Sequence, residues 1–205
     1  MRVSLDLHDA SLYNMGWDFI ERLKGRYPNI KLSMFFIPWD YVYEKTLLRL
    51  SKQDALDKLR ENLDWIRLYP HGLTHFPREF EKADTKAMKL ALDSIDKIFT
   101  TYKLPYQKGF CAPFWLWNKE VTRVLDSKGW WGAIDRNQPD MPRTRKCYEY
   151  SHSIHEPFWA DTEAEVWKLH GHMDLNSDND LEKCFFNLLK IPKDAEWVFI
   201  DEFVK

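Results

Sequence analysis

An α/β fold is predicted by three features of the chain. Strand-length apolar runs alternate with segments carrying apolar residues at helical spacing. Capping residues and prolines punctuate that alternation. The residues suited to chemistry fall at the C-terminal ends of predicted strands, where both open parallel sheets and (β/α) barrels carry their sites. Three or four strand ends converging on one metal favour the barrel over the open sheet. At 205 residues, positions 1–205 are expected to form one domain, long enough for a sizeable core and too short for two ordinary enzymatic domains.

Arg2 to Leu7 reads as a short buried strand, and Leu12 to Arg26 as a helix stopped by Pro28. Ile30 to Ile37 is a second apolar strand, closed by Pro38, which cannot donate to a ladder. Ser51 caps a helix to Leu63, and Trp65 to Tyr69 is a strand that delivers His71 just past its end. Asp84 caps a long helix to about Thr100, Lys108 to Ala112 is a strand, Asn118 caps a helix to Ser127, and Trp131 to Asp135 is a strand. Gln138 to Tyr148, rich in Pro, Arg and Asp, reads as a loop. Strands are expected around Tyr150 to Phe158 and Val166 to His170, then a helix from Asn179 to Leu189 and a last strand from Trp197 to Phe203.

Composition narrows the partners. A formal net charge of -2, with both signs mixed along the chain, offers no general attraction to nucleic acid or anionic membranes, so neither is expected. No run approaches the ~20 apolar residues of a membrane span, and the N-terminus enters a strand containing Asp6, unlike a signal peptide; the expectation is a cytoplasmic protein. Cys111, Cys147 and Cys184 are odd in number and lack Cys-x-x-Cys spacing, which argues against a disulfide framework and a thiolate zinc site. Any metal site should therefore use His and carboxylate. Most of the ten Trp read as core, while Trp115, Trp117, Trp130 and Trp131 cluster beside a candidate site loop, where a flat ring can stack on a sugar.

Five of the seven histidines sit in three short motifs. His71 and His75, in Tyr69-Pro70-His71-Gly72-Leu73-Thr74-His75, have the spacing that puts two imidazoles on one face of a helical turn, a metal-binding geometry. With Asp9 they make a two-imidazole, one-carboxylate set that leaves a divalent cation open positions for water and substrate. Such ligands suit Zn foremost, and Co, Ni, Mn or Fe almost as well. The competing reading has Asp9 capping the following helix and the histidines bonding locally.

In order and spacing, Leu7-His8-Asp9, His71-Gly72-Leu73-Thr74-His75, Gly109-Phe110-Cys111-Ala112-Pro113-Phe114-Trp115 and Leu169-His170 resemble the motifs of the polysaccharide deacetylase superfamily. The chain is more similar to divergent members whose first motif is His-Asp instead of Asp-Asp. The resemblance covers most of the chain and implies an irregular (β/α) barrel that removes acetyl groups from sugars with one bound divalent metal. It implies Asp9, His71 and His75 as metal ligands, His8 as general base in place of the usual Asp, and His170 as general acid. Leu169, Pro113 and Trp115 would contact substrate, with Leu169 walling the acetyl-methyl pocket.

A neutral imidazole can accept a proton in that position, and Asp6, on the same side of the strand as His8, can orient it or bond to backbone instead. Asp135, at another strand end, is expected to tune His170. His172 is expected to face solvent in a turn after Gly171, and His152 and His155 to be polar strand residues. The third motif lacks the family's Arg and has only Lys108 nearby, which agrees with a neutral base and equally with a degenerate site. The expected activity is hydrolysis of an acetyl group from an N-acetylated sugar or polysaccharide, a small or nucleotide-linked one if the protein is intracellular. The alternatives are another acyl substrate, or a carbohydrate-binding protein of the same fold without turnover.

Overall fold

The computed structural model describes residues 1–39, 51–138, 140–160, 164–173 and 178–205. Strand β1 (Arg2–Ala10) is central to a parallel sheet of order β3-β2-β1-β8-β7, formed with β2 (Leu32–Phe36), β3 (Ile66–Pro70), β7 (His152–Ser153) and β8 (Val166–His172). Strand β9 (Glu196–Trp197) pairs with the start of β1. A second parallel sheet joins β4 (Gly109–Phe110), β5 (Trp131–Ile134) and β6 (Cys147–Glu149) in that order. Bridges from Leu68 to Tyr106 and from His71 to Cys111 stitch the β3 edge to the chain around β4. The result is an irregular α/β barrel of two parallel sheets.

Period-two alternation sorts the side chains. Val3, Leu5 and Leu7 on β1, Leu32, Met34 and Phe36 on β2, and Trp167 and Leu169 on β8 join the larger core cluster, together with the buried faces of the helices α1 (Trp17–Arg26), α2 (Lys52–Glu61), α3 (Thr85–Thr101) and α4 (Lys119–Ser127). The opposite face supplies a smaller cluster containing Phe35, Tyr69, Cys111, Trp131, Tyr148 and Ile200. Both sheets contribute to this inner cluster, and the polar residues of β1 and β8 face it.

The predicted caps form. Ser51 accepts from Asp54 N, Asp84 from Ala87 N, and Asn118 from the backbone of Glu120 and Val121. The first helix starts later than its apolar pattern suggests, at Trp17, because Ser11 Oγ accepts from Tyr13 N and Asn14 N and folds residues 11–14 into a turn. Gly16 then enters α1 with φ 52°, a left-handed conformation natural to glycine.

Two strand expectations and one loop expectation are corrected. The span Tyr150 to Phe158 is strand only at His152–Ser153, and the end of the expected loop, Cys147–Glu149, is β6. The last segment leaves the sheet after Trp197 and forms a 3-10 turn at Ile200–Phe203. Its apolar run reads as strand because the residues are buried, but Glu202 reaches back to Phe199 N and Asp201 accepts from Arg67 and Tyr69. Local capping thus overrides strand propensity.

Asn118 also donates to the carbonyls of Glu81 and Ala83, tying α4 to the chain before α3. Asn118→Ala should lower stability by about 2 kcal/mol, at the upper end for loss of an N-cap, read as a lower urea midpoint with an unchanged slope.

Candidate active site

Strand β1 ends in a bulge. Leu7 pairs with Met34 but Ala10 pairs with Phe36, so β1 uses one extra residue, and Asp9 has φ 60°. In a regular strand His8 and Asp9 would point to opposite faces; the bulge re-aims Asp9 so that both border one site. Asp is among the few residue types that tolerate this left-handed conformation.

His71 and His75 come together by a different route from the one expected. Residues 71–75 are not helical: Gly72 has φ 64° and His75 φ 60°, and this loop still sets the two rings 4.8 Å apart. A Cβ on Gly72 would lie 2.7 Å from both Glu79 and Pro113, so only glycine allows the loop to pack there. Glu79, which lies in no sequence motif, accepts from Leu73 N and Thr74 N at 3.2–3.3 Å and clamps the loop. Burial pushes its carboxyl up, and those backbone bonds oppose the shift.

Nε2 of His71 and Nε2 of His75 lie 3.0 and 2.9 Å from Asp9 Oδ1. His71 Nδ1 sits 3.1 Å from the Cys111 carbonyl oxygen, which can only accept, so the neutral ring is assigned its proton there. Burial lowers the His71 pKa, and Asp9 opposes it without cancelling the shift. The neutral ring then aims an Nε2 lone pair at a carboxylate oxygen, an arrangement that calls for a cation between them. Ligand atoms about 2.1 Å from one ion are separated by about 3.0–3.4 Å, close to the spacing here. Asp9, His71 and His75 therefore fit a divalent metal.

Behind this set, Asp6 is fully buried on the inner face of β1. It accepts from Tyr148 Oη at 2.9 Å and from His170 Nδ1 at 2.7 Å. His8 Nε2 is 3.1 Å from Asp6 Oδ2, but it lacks hydrogen-bond alignment and has no hydrogen-bond partner among the described residues. A short distance without alignment is not a hydrogen bond. Burial, then His170, His71 and His172, hold His8 well below the ordinary imidazole range, so it is neutral at pH 7. Its ring lies 4.8 Å from those of His71 and Trp115 and 4.4 Å from that of His170.

The other expected residues divide. Trp115 is partly buried over the site, and its ring is 5.3 Å from that of His170. Pro113 is buried against Gly72 and supports the His71 loop. Leu169 belongs to the outer cluster, on the face of β8 opposite His170, so the expectation that it walls the site is corrected by strand alternation. Asp135 acts at one remove: it accepts from Tyr150 Oη at 2.8 Å, and the Tyr150 ring stacks on His170 at 4.6 Å. The carboxylate on His170 is that of Asp6.

His172 is also corrected. It lies within β8, not in a solvent-facing turn, and its ring is 4.6 Å from that of His170. Burial, then His170, lowers its pKa to about 4. Period-two spacing of His170 and His172 was the available signal, obscured by Gly171. Gly171 serves packing instead, since a Cβ there would meet Ile154 at 2.4 Å. Trp117, Trp130 and Trp131 are core residues. His152 lies in β7 and bonds Ser151 Oγ, whereas His155 is in a turn beside Cys184 Sγ.

No protein-family profile matches this chain, and no curated protein does. Solved structures match its fold. An acetyl xylan esterase of family 4 from Clostridium thermocellum, solved with a cobalt ion, has a TM-score of 0.61 at 10% identity, covering 98% of this chain and 89% of its own. A peptidoglycan N-acetylglucosamine deacetylase has a TM-score of 0.62 at 13% identity, covering 98% and 86%. A CE4 family pseudoenzyme from Bacillus anthracis has a TM-score of 0.58 at 13% identity, covering 98% and 64%. The fold is the irregular α/β barrel that these family 4 carbohydrate esterases share. All three likenesses lie at 10–13% identity and are likenesses of fold. Among the described residues no helix is long and apolar enough to cross a membrane.

His8, His71 and His172 are held neutral in the fold, whereas in the unfolded chain they titrate near the ordinary value of 6.5. Below that pH the unfolded state binds more protons, so metal-free protein should lose stability as pH falls from about 6.5 through about 4. His172 alone should contribute on the order of 3 kcal/mol to that loss. Urea unfolding across this range checks it, and His172→Gln should flatten the slope.

Proposed function

We propose that this chain is a metal-dependent deacetylase acting on an N-acetylated sugar or polysaccharide, of the divergent kind with a His-Asp first motif. The observation that carries the reading is the convergence of His71 Nε2 and His75 Nε2 on Asp9 Oδ1, with the His71 tautomer set by the Cys111 carbonyl. Asp9, His71 and His75 would hold one divalent cation, Zn foremost. When bound, the cation supplies Lewis acidity, lowering the pKa of water and offsetting negative charge on the carbonyl oxygen.

The chain's own residues carry the protons. His8, neutral and adjacent to the ligands, accepts one from the attacking water. His170 gives one from Nε2 to the leaving nitrogen, while Asp6 fixes its ring through Nδ1. Tyr150, held by Asp135, stacks on the same ring and limits its rotation. Asp6 and Tyr150 are positioning residues.

Carbohydrate as substrate is supported by aromatic faces around the ligand loop. Trp115 covers the inner site, Phe114 lies 5.5 Å from the His75 ring, and Phe76 follows His75 in sequence. Trp39 N bonds to Leu73 O. Trp39, Phe76 and Phe114 are all more than half exposed, and a ring held in water is a surface on which a sugar can stack.

A second reading, carbohydrate binding without turnover, is favoured by the cover that Trp115 forms over His8, which is 1% exposed. The described structural relatives include a pseudoenzyme. Acetate release from N-acetylglucosamine oligomers and from nucleotide-linked N-acetyl sugars, with sugar binding on the same metal-loaded sample, separates the two. Release supports the deacetylase; tight binding without release supports the binder.

For the deacetylase, His71→Ala or His75→Ala should remove the metal and lower acetate release by at least ~10²-fold, as loss of a metal ligand abolishes its chemistry. Turnover retained in a metal-free variant would sink the assignment.

A further inference from the structure

The inner face of the barrel holds three imidazoles that the single-metal site does not account for together. β1 and β8 run parallel in a register that pairs Asp6 with His170 and His8 with His172. Two residues apart on each strand, all four lie on one face. One ring nitrogen from each of His8, His170 and His172 lies within 4.8 Å of the others. Around one ion, nitrogens about 2.1 Å from it sit about 3.4 Å apart, so side-chain shifts on the order of 1 Å close the set.

Two further observations point to a ligand. His8 Nε2 is buried without a hydrogen-bond partner among the described residues, and the residue is 1% exposed. An unsatisfied buried nitrogen costs free energy that a metal bond would offset. His170 is prepared as a ligand, since Asp6 takes the Nδ1 proton at 2.7 Å and leaves Nε2 with its lone pair, the carboxylate–histidine arrangement found behind metal-binding imidazoles. His172, which has no part in the proton transfers above, adds the third nitrogen.

We infer that His8, His170 and His172 form a second divalent-metal site, taking Zn or a similar cation at three imidazole nitrogens, distinct from the Asp9–His71–His75 set. Asp6 supplies a negative charge behind it as Asp9 does within the first, and the His8 and His71 rings, 4.8 Å apart, make the two sites neighbours. A cation there occupies the lone pairs of His8 and His170 that the proposed reaction needs for proton transfer. Filling the second site therefore switches the hydrolase off at high metal. The inhibition rests on the deacetylase reading; the site itself does not.

Zinc content at saturation, measured on the full chain by equilibrium dialysis, tests the site directly. Wild type should bind two ions, His172→Gln one, His75→Ala one, and the double variant none. One ion in wild type and none in His75→Ala would overturn the second site and leave the first standing. One ion in wild type, retained in His75→Ala and lost in His172→Gln, would overturn the first site and keep the second. Two ions in both wild type and His172→Gln would place the extra ion elsewhere and also overturn the inference. If the protein deacetylates, excess zinc should lower wild-type acetate release on the order of 10²-fold, the contribution of a positioned acid or base, and should leave His172→Gln unaffected; equal inhibition of both would overturn the switch.

Discussion

A carboxylate with no exposure to water, Asp6, is the constraint around which the inner face is arranged. A buried charge is tolerated only when hydrogen-bonded and paired. Here the partners come from different strands: Tyr148 from β6 and His170 from β8. The charge on β1 thus joins both sheets at the level of the site. Burial, then the Asp6 charge, pushes the Tyr148 hydroxyl well above its ordinary range, so it keeps its proton and remains a donor. Removing one partner would leave the carboxylate under-satisfied, which typically costs several kcal/mol.

Strain is concentrated beside this charge. Asp9, His75, Phe114 and Trp115 all have positive φ, a conformation that costs on the order of 1–3 kcal/mol at each non-glycine position. Each is held by neighbours: the β1 bulge, the Glu79 clamp, and the packing of Pro113 on Gly72. The same turns aim Asp9 and His75 at one point and lay Trp115 over His8. A pre-shaped ligand set has less to reorganise when a cation arrives.

Burial also sets the chemistry. His8, His71 and His172 lie close together and are held neutral chiefly by desolvation. Neutral imidazole is the form that ligates metals and accepts protons. The cluster is therefore poised for cations and protons alike.

Much of the architecture was legible in the chain. Helix starts at Ser51, Asp84 and Asn118 follow from side chains that cap locally, and β1, β2 and β8 follow from apolar periodicity, because both signals are carried by residues near in sequence. The metal-ligand candidates Asp9, His71 and His75 were legible from residue type and order. The means by which they meet were not, since the bulge at Asp9 and the left-handed turns at Gly72 and His75 arise from packing against β2, Glu79 and Pro113. Nor could local pattern show that Asp6 bonds both His170 and Tyr148. Those relations depend on the register between β1 and β8 and on the meeting of two sheets, contacts between residues more than a hundred positions apart. The sequence by itself determined which groups can do chemistry and where elements begin; the tertiary structure alone decided which of those groups share a face, because strand register is a property of the pairing and not of either strand.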